Sequence, residues 1–148
     1  MNMKEQGEES VRIAIGELAK FHISAAVLLT DNEPFDLIVI VDGRLFKAQV
    51  KSSGVEADRD VVKNSVKFKC STSNWHKKTT KKYKKGDFDL MICVDMRDFS
   101  VYLVEPEKVM GKRTFQIRLS DSKNGQKKFC NMRNDYLLSK ERIKSIFG

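Results

Sequence analysis

The chain lacks the features of several large classes of protein. Within its 148 residues, no uninterrupted apolar run approaches the about 20 residues that a membrane-spanning helix needs. The first ten residues, MNMKEQGEES, are polar and have no apolar core of a signal peptide, which predicts a cytoplasmic location. Internal repeats and low-complexity linkers are also missing. We therefore expect one domain that spans residues 1–148.

Cysteine and histidine are scarce, which excludes several kinds of metal site. The three cysteines, Cys70, Cys93 and Cys130, are odd in number and widely spaced. They fit neither a zinc pattern nor a disulfide framework, so we expect buried, reduced thiols. The two histidines, His22 and His76, are too few for a histidine-rich metal site.

Positive charge is abundant: the formal net charge is +8 and the pI is about 9.4. A solvated basic surface and a polyanionic partner both explain such an excess. Clustering favours the partner, because six lysines crowd one short stretch: Lys77, Lys78, Lys81, Lys82, Lys84 and Lys85. Lysines attract phosphates with little sequence information. Trp75 and Tyr83 interleave with them and either stack on bases or belong to the core. We expect a basic loop over about residues 71–87, beside a groove.

The stretch PFDLIVIVDGRLFKAQVK, residues 34–51, predicts a β-hairpin with a defined register. Asp42-Gly43 between two apolar runs is typical of a two-residue type I′ turn. Val41 then pairs with Arg44, and continuing the register places Asp36 opposite Gln49. Lys51 lies two residues beyond Gln49 and shares its face. A carboxylate, an amide oxygen and an ammonium are thereby predicted to converge.

These three residues also have ordinary structural interpretations, which the sequence leaves open. An aspartate at a strand end often caps a turn. Gln49 fits a hydrogen-bonded core amide, and Lys51 fits a charge that protects an edge strand from aggregation.

A helix is predicted over residues 4 to about 23, because Val11, Ile15, Leu18 and His22 recur at helical spacing. Glu8 continues this series toward the helix start. We therefore expect its side chain on the inward face, where a lone carboxylate is costly without a partner. Glu9 and Glu17 fall off the stripe and are expected in solvent.

The remaining pattern predicts an α/β fold with a mixed sheet. A polar loop is expected over Ser52–Ser65 and a closing helix over Asp135–Phe147. Besides the hairpin, strands are expected at Ala25–Leu29, Val66–Cys70, Phe88–Val94, Ser100–Val104 and Phe115–Leu119.

The predicted cluster has the chemistry of a metal-dependent phosphodiesterase. Mg²⁺ prefers oxygen ligands, and Asp36, the amide oxygen of Gln49 and the backbone carbonyl of Val50 would supply three. Lys51 would orient the attacking water or offset charge on the phosphate. Glu8 would reach in from the helix to a bound water or a second ion. With so few acids, metal affinity is expected to be weak until DNA adds its phosphate.

The motifs resemble those of the PD-(D/E)XK nuclease superfamily. They are most similar to its bacterial group I intron-associated homing endonucleases, which carry Gln in place of the usual acid. Lys4-Glu5-Gln6-Gly7-Glu8 resembles that branch's opening helix, Pro34–Ile38 its aspartate strand and Gln49-Val50-Lys51 its Q-x-K strand. Tyr83–Val104 resembles its later strand pair. Residues 123–127, KNGQK, with Asp135-Tyr136, resemble its C-terminal signature.

The resemblance implies a restriction-endonuclease-like core and cleavage of double-stranded DNA with Mg²⁺ (or Mn²⁺). It also implies a homodimer or homotetramer of bacterial or phage origin, with Glu8, Asp36, Gln49 and Lys51 as catalytic residues. Glu17, in Ile15-Gly16-Glu17-Leu18, also looks like a family Gly-Glu pair. Its separation from Asp36 is short for this branch, so Glu8 is preferred.

Two alternatives remain at this stage, and base recognition is open. A Holliday junction resolvase would use the same chemistry on four-way junctions, and a catalytically inactive DNA-binding protein would keep only the fold. Arginine is the usual reader of guanine, although most surface arginines read nothing. The DNA-binding candidates in the C-terminal half are Arg113, Arg118, Lys123, Lys127, Lys128 and Arg133.

Overall fold

The hairpin at residues 37–53 organises the central sheet. In a computed structural model, which describes residues 2–53, 64–74, 79–120 and 130–148, Val41 pairs with Arg44 as predicted. Asp42 and Gly43 have φ values of 50° and 75°. These left-handed conformations are those of a type I′ turn, which tolerates Asp and favours Gly. The turn therefore fixes the register that the sequence predicts.

The helices and strands follow the predicted order with adjusted bounds. Helix α1 is Met3–Ala19 and α2 is Lys140–Phe147. Two 3₁₀ turns are Pro106–Lys108 and Arg133–Asp135. The strands are β1 Ser24–Val27, β2 Leu37–Val41, β3 Arg44–Ser53, β4 Ser65–Lys69, β5 Ser71–Asn74, β6 Thr79–Lys82, β7 Leu90–Asp95, β8 Ser100–Val104 and β9 Thr114–Arg118.

The central sheet is mixed, in the order β1-β2-β3-β7-β8. Strands β3 and β7 are parallel, and the other neighbours are antiparallel. Two smaller antiparallel pairs, β4-β9 and β5-β6, accompany it. This is the predicted α/β arrangement with a mixed sheet, and its centre is the strand β3 that carries Gln49 and Lys51.

Each face of the central sheet is covered by its own apolar cluster. The helix-side cluster contains Leu37, Val50 and Ile92 with Leu18 of α1 and Phe147 of α2. The second cluster contains the alternate side chains of β7 and β8, which point to the other face: Met91, Cys93, Tyr102 and Val104. They pack with residues of β4 and β9. Both helices thus pack on one face, and a small sheet covers the other.

Helix α1 is shorter than predicted, and its buried stripe is displaced. Asn2 and Glu5 form a capping box at its start. It ends at Ala19 because the chain turns at His22, which has φ of 60° and is exposed. The positions that face the sheet most closely are Ser10, Ala14 and Leu18. The expected inward position of His22 is therefore wrong.

Two other predicted segments differ from the structure. Part of the predicted basic loop over residues 71–87 is the β5-β6 pair, in which Ser71 lies opposite Lys82. Polar residues form this ladder through backbone hydrogen bonds, without the apolar alternation that predicts strands. The closing helix starts at Lys140 instead of Asp135, because the Ser139 hydroxyl accepts a hydrogen bond from the backbone of Arg142 at 3.0 Å.

Neither helix in the described ranges has the length and apolar character required to cross a membrane. Most of the predicted polar loop, Ser52–Ser65, lies outside the described residues, although β3 continues to Ser53 and β4 begins at Ser65.

Candidate active site

The hairpin brings Asp36, Gln49 and Lys51 into one region at the end of β2. The regular register of β2 and β3 ends at Leu37 opposite Ala48, and the backbone N–H of Asp36 donates to the carbonyl of Ala48 at 2.9 Å. The predicted pairing of Asp36 with Gln49 is therefore not part of the ladder, although the two residues line one cavity. In the parallel ladder Gln49 pairs with Met91 and Lys51 with Cys93, so both lie on the face of the second apolar cluster.

The Asp36 carboxylate is held by the strand opposite it. Its Oδ2 accepts a hydrogen bond of 2.9 Å from the backbone N–H of Val50. Burial raises the pKa of Asp36, and the hydrogen bond from Val50 opposes that rise. In a β-strand, the N–H and C=O of one residue point toward the same neighbour. The carbonyl of Val50 therefore faces the same strand edge as Asp36.

Gln49 presents a buried amide without a fixed partner. The residue is only 9% exposed, and no hydrogen bond joins its amide to another side chain in the described ranges. It lines a cavity of about 380 Å³ together with Asp36, Lys81, Lys82 and Tyr83. The described residues therefore do not supply the hydrogen bond expected of a core amide, and Gln49 is a candidate ligand on the wall of this cavity.

Lys51 carries its ammonium into the same region. Burial lowers the pKa of Lys51, and the negative charge of Asp36 opposes that shift. Its Nζ lies 5.6 Å from the centroid of the Tyr83 ring. Strand β3 is central, between β2 and β7, so the interpretation of Lys51 as a guard on an edge strand is wrong.

Glu8 approaches Asp36 from outside the core. Its side chain is 53% exposed and lies 4.0 Å from the guanidinium of Arg12, so the expected inward orientation is wrong. Nevertheless, Glu8 and Asp36 line one cavity of about 430 Å³. Glu17 is 2.8 Å from Lys20 and does not line that cavity. Of the two candidate helical acids, Glu8 is the one that lines this cavity with Asp36.

These donors suit a hard divalent cation. Asp36, the amide of Gln49 and the carbonyl of Val50 offer oxygen atoms, which Mg²⁺ prefers. No group of three or more His, Cys, Asp or Glu residues forms a metal-binding cluster within the described part of the chain. A metal at this site therefore depends on neutral oxygens besides the Asp36 carboxylate.

The candidate DNA-binding lysines lie partly beside this cavity. Lys81 and Lys82 line it on the exposed strand β6, and Lys84 and Lys85 follow as exposed residues. The other candidates in this class lie outside the described residues: Lys77, Lys78, Lys123, Lys127 and Lys128.

The three candidate arginines differ in their freedom to reach DNA. Arg113 is exposed. Arg118 donates from Nε to the carbonyl of Ser120 at 3.2 Å. Arg133 is half-buried and donates to the hydroxyl of Ser100 at 3.1 Å. Arg133 therefore makes a contact within the fold, and Arg113 is the most exposed of the three.

Tyr83 and the cysteines complete the surroundings of the site. Tyr83 is 7% exposed, which decides that it belongs to the core instead of stacking on bases from the surface. No pattern in the sequence predicts its contact with Lys51, because the two residues are far apart in the chain. Cys70 and Cys93 are buried as predicted, whereas Cys130 is only half-buried.

Comparison with known proteins identifies the family. Residues 1–139 match the model of the PD-(D/E)XK endonuclease family. The chain belongs to the PD-(D/E)XK endonuclease family. The match covers both the helix that carries Glu8 and the hairpin that carries Asp36, Gln49 and Lys51. Members of this family are nucleases and generally use divalent metal ions such as Mg²⁺.

A solved structure supports the fold of this PD-(D/E)XK protein. The structure of the bacterial homing endonuclease I-Ssp6803I superposes with a TM-score of 0.69 at 22% sequence identity. The superposition covers 86% of this chain and 84% of that one. The predicted restriction-endonuclease-like fold is thereby confirmed. A search of the curated proteins found no match.

Proposed function

We propose that this protein is a sequence-specific, Mg²⁺-dependent endonuclease of the homing type that cuts double-stranded DNA. The observation that carries the proposal is the shared face of Gln49 and Lys51, with Asp36 lining the same cavity as Gln49 and the exposed lysines Lys81 and Lys82. Membership of a nuclease family supports the reaction, and the likeness to a bacterial homing endonuclease supports the type. One nuclease domain would occupy residues 1–148, in the cytoplasm of a bacterial or phage-infected cell.

Each residue of the site has a distinct role in this proposal. Asp36, Gln49 and the Val50 carbonyl would hold Mg²⁺ or Mn²⁺. When bound, the metal polarises the phosphate and lowers the pKa of a water molecule. Lys51 orients the attacking water or offsets charge on the phosphate as it develops. Glu8 faces Asp36 across the neighbouring cavity, where it would bind a water or a second ion.

Charge and stoichiometry support a DNA substrate and an assembly of at least two chains. Lys81, Lys82, Lys84 and Lys85 would contact the phosphates of DNA, helped by a net charge of +8. Lys77 and Lys78, with Arg113 and Arg118 and the other C-terminal candidates, would extend this contact. Cutting both strands needs two active sites, so a homodimer or homotetramer is part of the proposal.

Cleavage with and without metal tests the proposal. The protein is incubated in Mg²⁺, Mn²⁺ or EDTA with supercoiled plasmid, four-way junctions and genomic DNA pooled from many bacteria. New DNA ends are then sequenced. We expect ends at a few long, related sites, with metal only. Cleavage of junctions without regard to sequence would instead indicate a resolvase, and intact DNA in every arm would contradict an endonuclease.

Point variants assign the chemistry to the site. Asp36→Ala and Lys51→Ala are expected to reduce cleavage more than about 100-fold because each removes a charge at the reacting phosphate. DNA binding, measured by gel shift, is expected to persist. Lys67→Ala is the matched control, since Lys67 is exposed on β4 away from this cavity. If the protein only binds DNA, Asp36→Ala and Lys51→Ala would leave its function intact, as Lys67→Ala does.

A second pair of variants assigns the helical acid. Glu8→Gln is expected to lower the cleavage rate about tenfold, because it removes a charge from the cavity that Asp36 lines. Glu17→Gln is expected to keep the rate, since Glu17 pairs with Lys20 instead. The reverse order of effects would assign the role to Glu17.

A further inference from the structure

Tyr83 has an unusual environment for a residue in a basic segment. It directly follows β6, whose Lys81 and Lys82 are exposed, yet it is 7% exposed itself. Its ring packs edge-on against Phe88, with centroids 5.0 Å apart and an interplanar angle of 79°. The buried hydroxyl has no hydrogen-bond partner among the residues that the structure describes. An unpaired buried hydroxyl opposes folding, so packing of the ring must explain this position.

The face of that ring is occupied by Lys51. The Lys51 Nζ lies 5.6 Å from the ring centroid, within the range of a cation–π interaction. No carboxylate lies within 4.0 Å of this ammonium in the described ranges, and none of the hydrogen bonds recorded there involves it. A half-buried ammonium would be costly without a favourable neighbour. The aromatic face is the direct contact that offsets this cost.

Tyr83 also joins two parts of the site. It lines the cavity that contains Asp36 and Gln49, and the same cavity is bordered by Lys81 and Lys82. The residue that contacts the Lys51 ammonium is thus covalently continuous with the strand proposed to contact DNA. A side chain placed this way fixes where the ammonium sits relative to the metal ligands.

We propose that Tyr83 is a positioning residue for DNA cleavage, whose ring face holds the Lys51 ammonium in place beside Asp36 and Gln49. This inference rests on the proposed function. The aromatic face is the working part, and the hydroxyl is dispensable, because it is buried from solvent and unpaired among the described residues.

Two substitutions separate the ring from the hydroxyl. Tyr83→Phe keeps the aromatic face, so its single-turnover cleavage rate is expected to stay within about threefold of wild type, with no loss of thermal stability. Tyr83→Leu removes the face, and its rate is expected to fall about 3- to 30-fold, the range for a lost cation–π contact. DNA affinity, measured separately, is expected to change less than about twofold. Tyr83→Met provides the same comparison if the leucine variant fails to fold.

Phe88→Leu is the matched control for packing. Phe88 packs edge-on against the Tyr83 ring and belongs to the same apolar cluster, but the ring over which the Lys51 ammonium lies is that of Tyr83. Phe88→Leu is expected to lower thermal stability about as much as Tyr83→Leu does, but to keep the wild-type cleavage rate. Equal losses of rate in both variants would overturn the proposal in favour of simple packing. Equal losses in Tyr83→Phe and Tyr83→Leu would overturn it in favour of the hydroxyl.

An NMR measurement tests the contact without reference to activity. Protons on the carbon next to Nζ of Lys51 are expected to shift upfield because they lie over an aromatic face. The shift should persist in Tyr83→Phe and vanish in Tyr83→Leu. If the expected upfield shift is present but the protein cuts no DNA, the result contradicts the proposed function alone. Wild-type cleavage by Tyr83→Leu, or a Lys51 without the shift, would contradict the positioning role alone.

Discussion

The two faces of the central sheet serve different purposes. On the helix side, Leu37 and Val50 belong to an apolar buried cluster. On the opposite side, their sequence neighbours Gln49 and Lys51 interrupt the apolar surface at one end of the hairpin, beside Asp36. Because successive side chains of a strand point to opposite faces, a single residue step separates stability from chemistry.

The polar residues opposite the helices carry a cost of burying charge that the apolar helix side does not have. Burial raises the pKa of Asp36 and lowers that of Lys51, so both charged forms are disfavoured by their surroundings. Such perturbed pairs are concentrated at functional sites. The comparison predicts that substitutions on the helix side reduce stability, whereas those on the polar side reduce activity.

The largest expected contrast comes from the adjacent residues Asp36 and Leu37. Leu37 is fully buried, so Leu37→Ala is expected to lower the free energy of unfolding by about 2–5 kcal/mol. Asp36→Asn keeps an oxygen that can accept from the Val50 N–H, so stability is expected to change by less than about 1 kcal/mol. Its cleavage rate is expected to fall more than about 100-fold. Urea unfolding and single-turnover cleavage measure the two quantities.

Activity per folded molecule decides the outcome of this pair. Leu37→Ala is expected to keep it at temperatures well below unfolding, whereas Asp36→Asn loses it at every temperature. If both variants lose activity in proportion to stability, the two faces are not functionally distinct.

A smaller effect is expected from Gln49→Glu, which adds a carboxylate on the polar face. In EDTA, repulsion between this group and Asp36 is expected to lower the melting temperature. With Mg²⁺, the additional charged ligand is expected to lower the concentration for half-maximal cleavage on the order of tenfold. Gln49→Leu controls for the loss of the amide. If Mg²⁺ does not restore the melting temperature of Gln49→Glu, position 49 does not bind the metal.

The sequence predicts the hairpin well because its determinants are local. The positive φ values of Asp42 and Gly43 fix the turn, and the turn fixes the register of the whole hairpin. The orientation of Glu8 is wrong for a different reason. Small residues, Ser10 and Ala14, face the sheet at close range, so hydrophobicity alone points to the wrong helical stripe.

Contacts between segments far apart in the chain could not be predicted from the sequence. The β5-β6 ladder forms between polar residues, which give no periodic signal. The contact of Tyr83 with Lys51 depends on how that ladder packs against β3. Local turn chemistry therefore predicts which side chains of the hairpin come together, whereas only tertiary packing shows what surrounds the ammonium.

The smallest expected effect concerns the thiols, which report whether the second face is closed. Cys93 pairs with Lys51 in the parallel ladder, and Cys70 and Cys93 both belong to the second apolar cluster. Burial raises the pKa of Cys70 to about 11 and raises that of Cys93 as well. The thiolate is the reactive form, so both are expected to resist an aromatic disulfide reagent at pH 8. Half-buried Cys130 is expected to react first, and Cys130→Ser should remove that fast phase.

The pH dependence of stability follows from the same shift. The pKa of Cys70 rises from 9.0 when unfolded to about 11 in the fold, so its contribution to stability is complete below pH 9. It is lost as the pH rises toward 11, where the unfolded chain releases the proton more readily. Cys70→Ala is therefore expected to flatten the fall in melting temperature between pH 9 and 11. Fast labelling of Cys70 at pH 8, in the same phase as Cys130, would show that the polar face opens to solvent. The burial that shifts the pKa values of Asp36 and Lys51 would then be absent in solution.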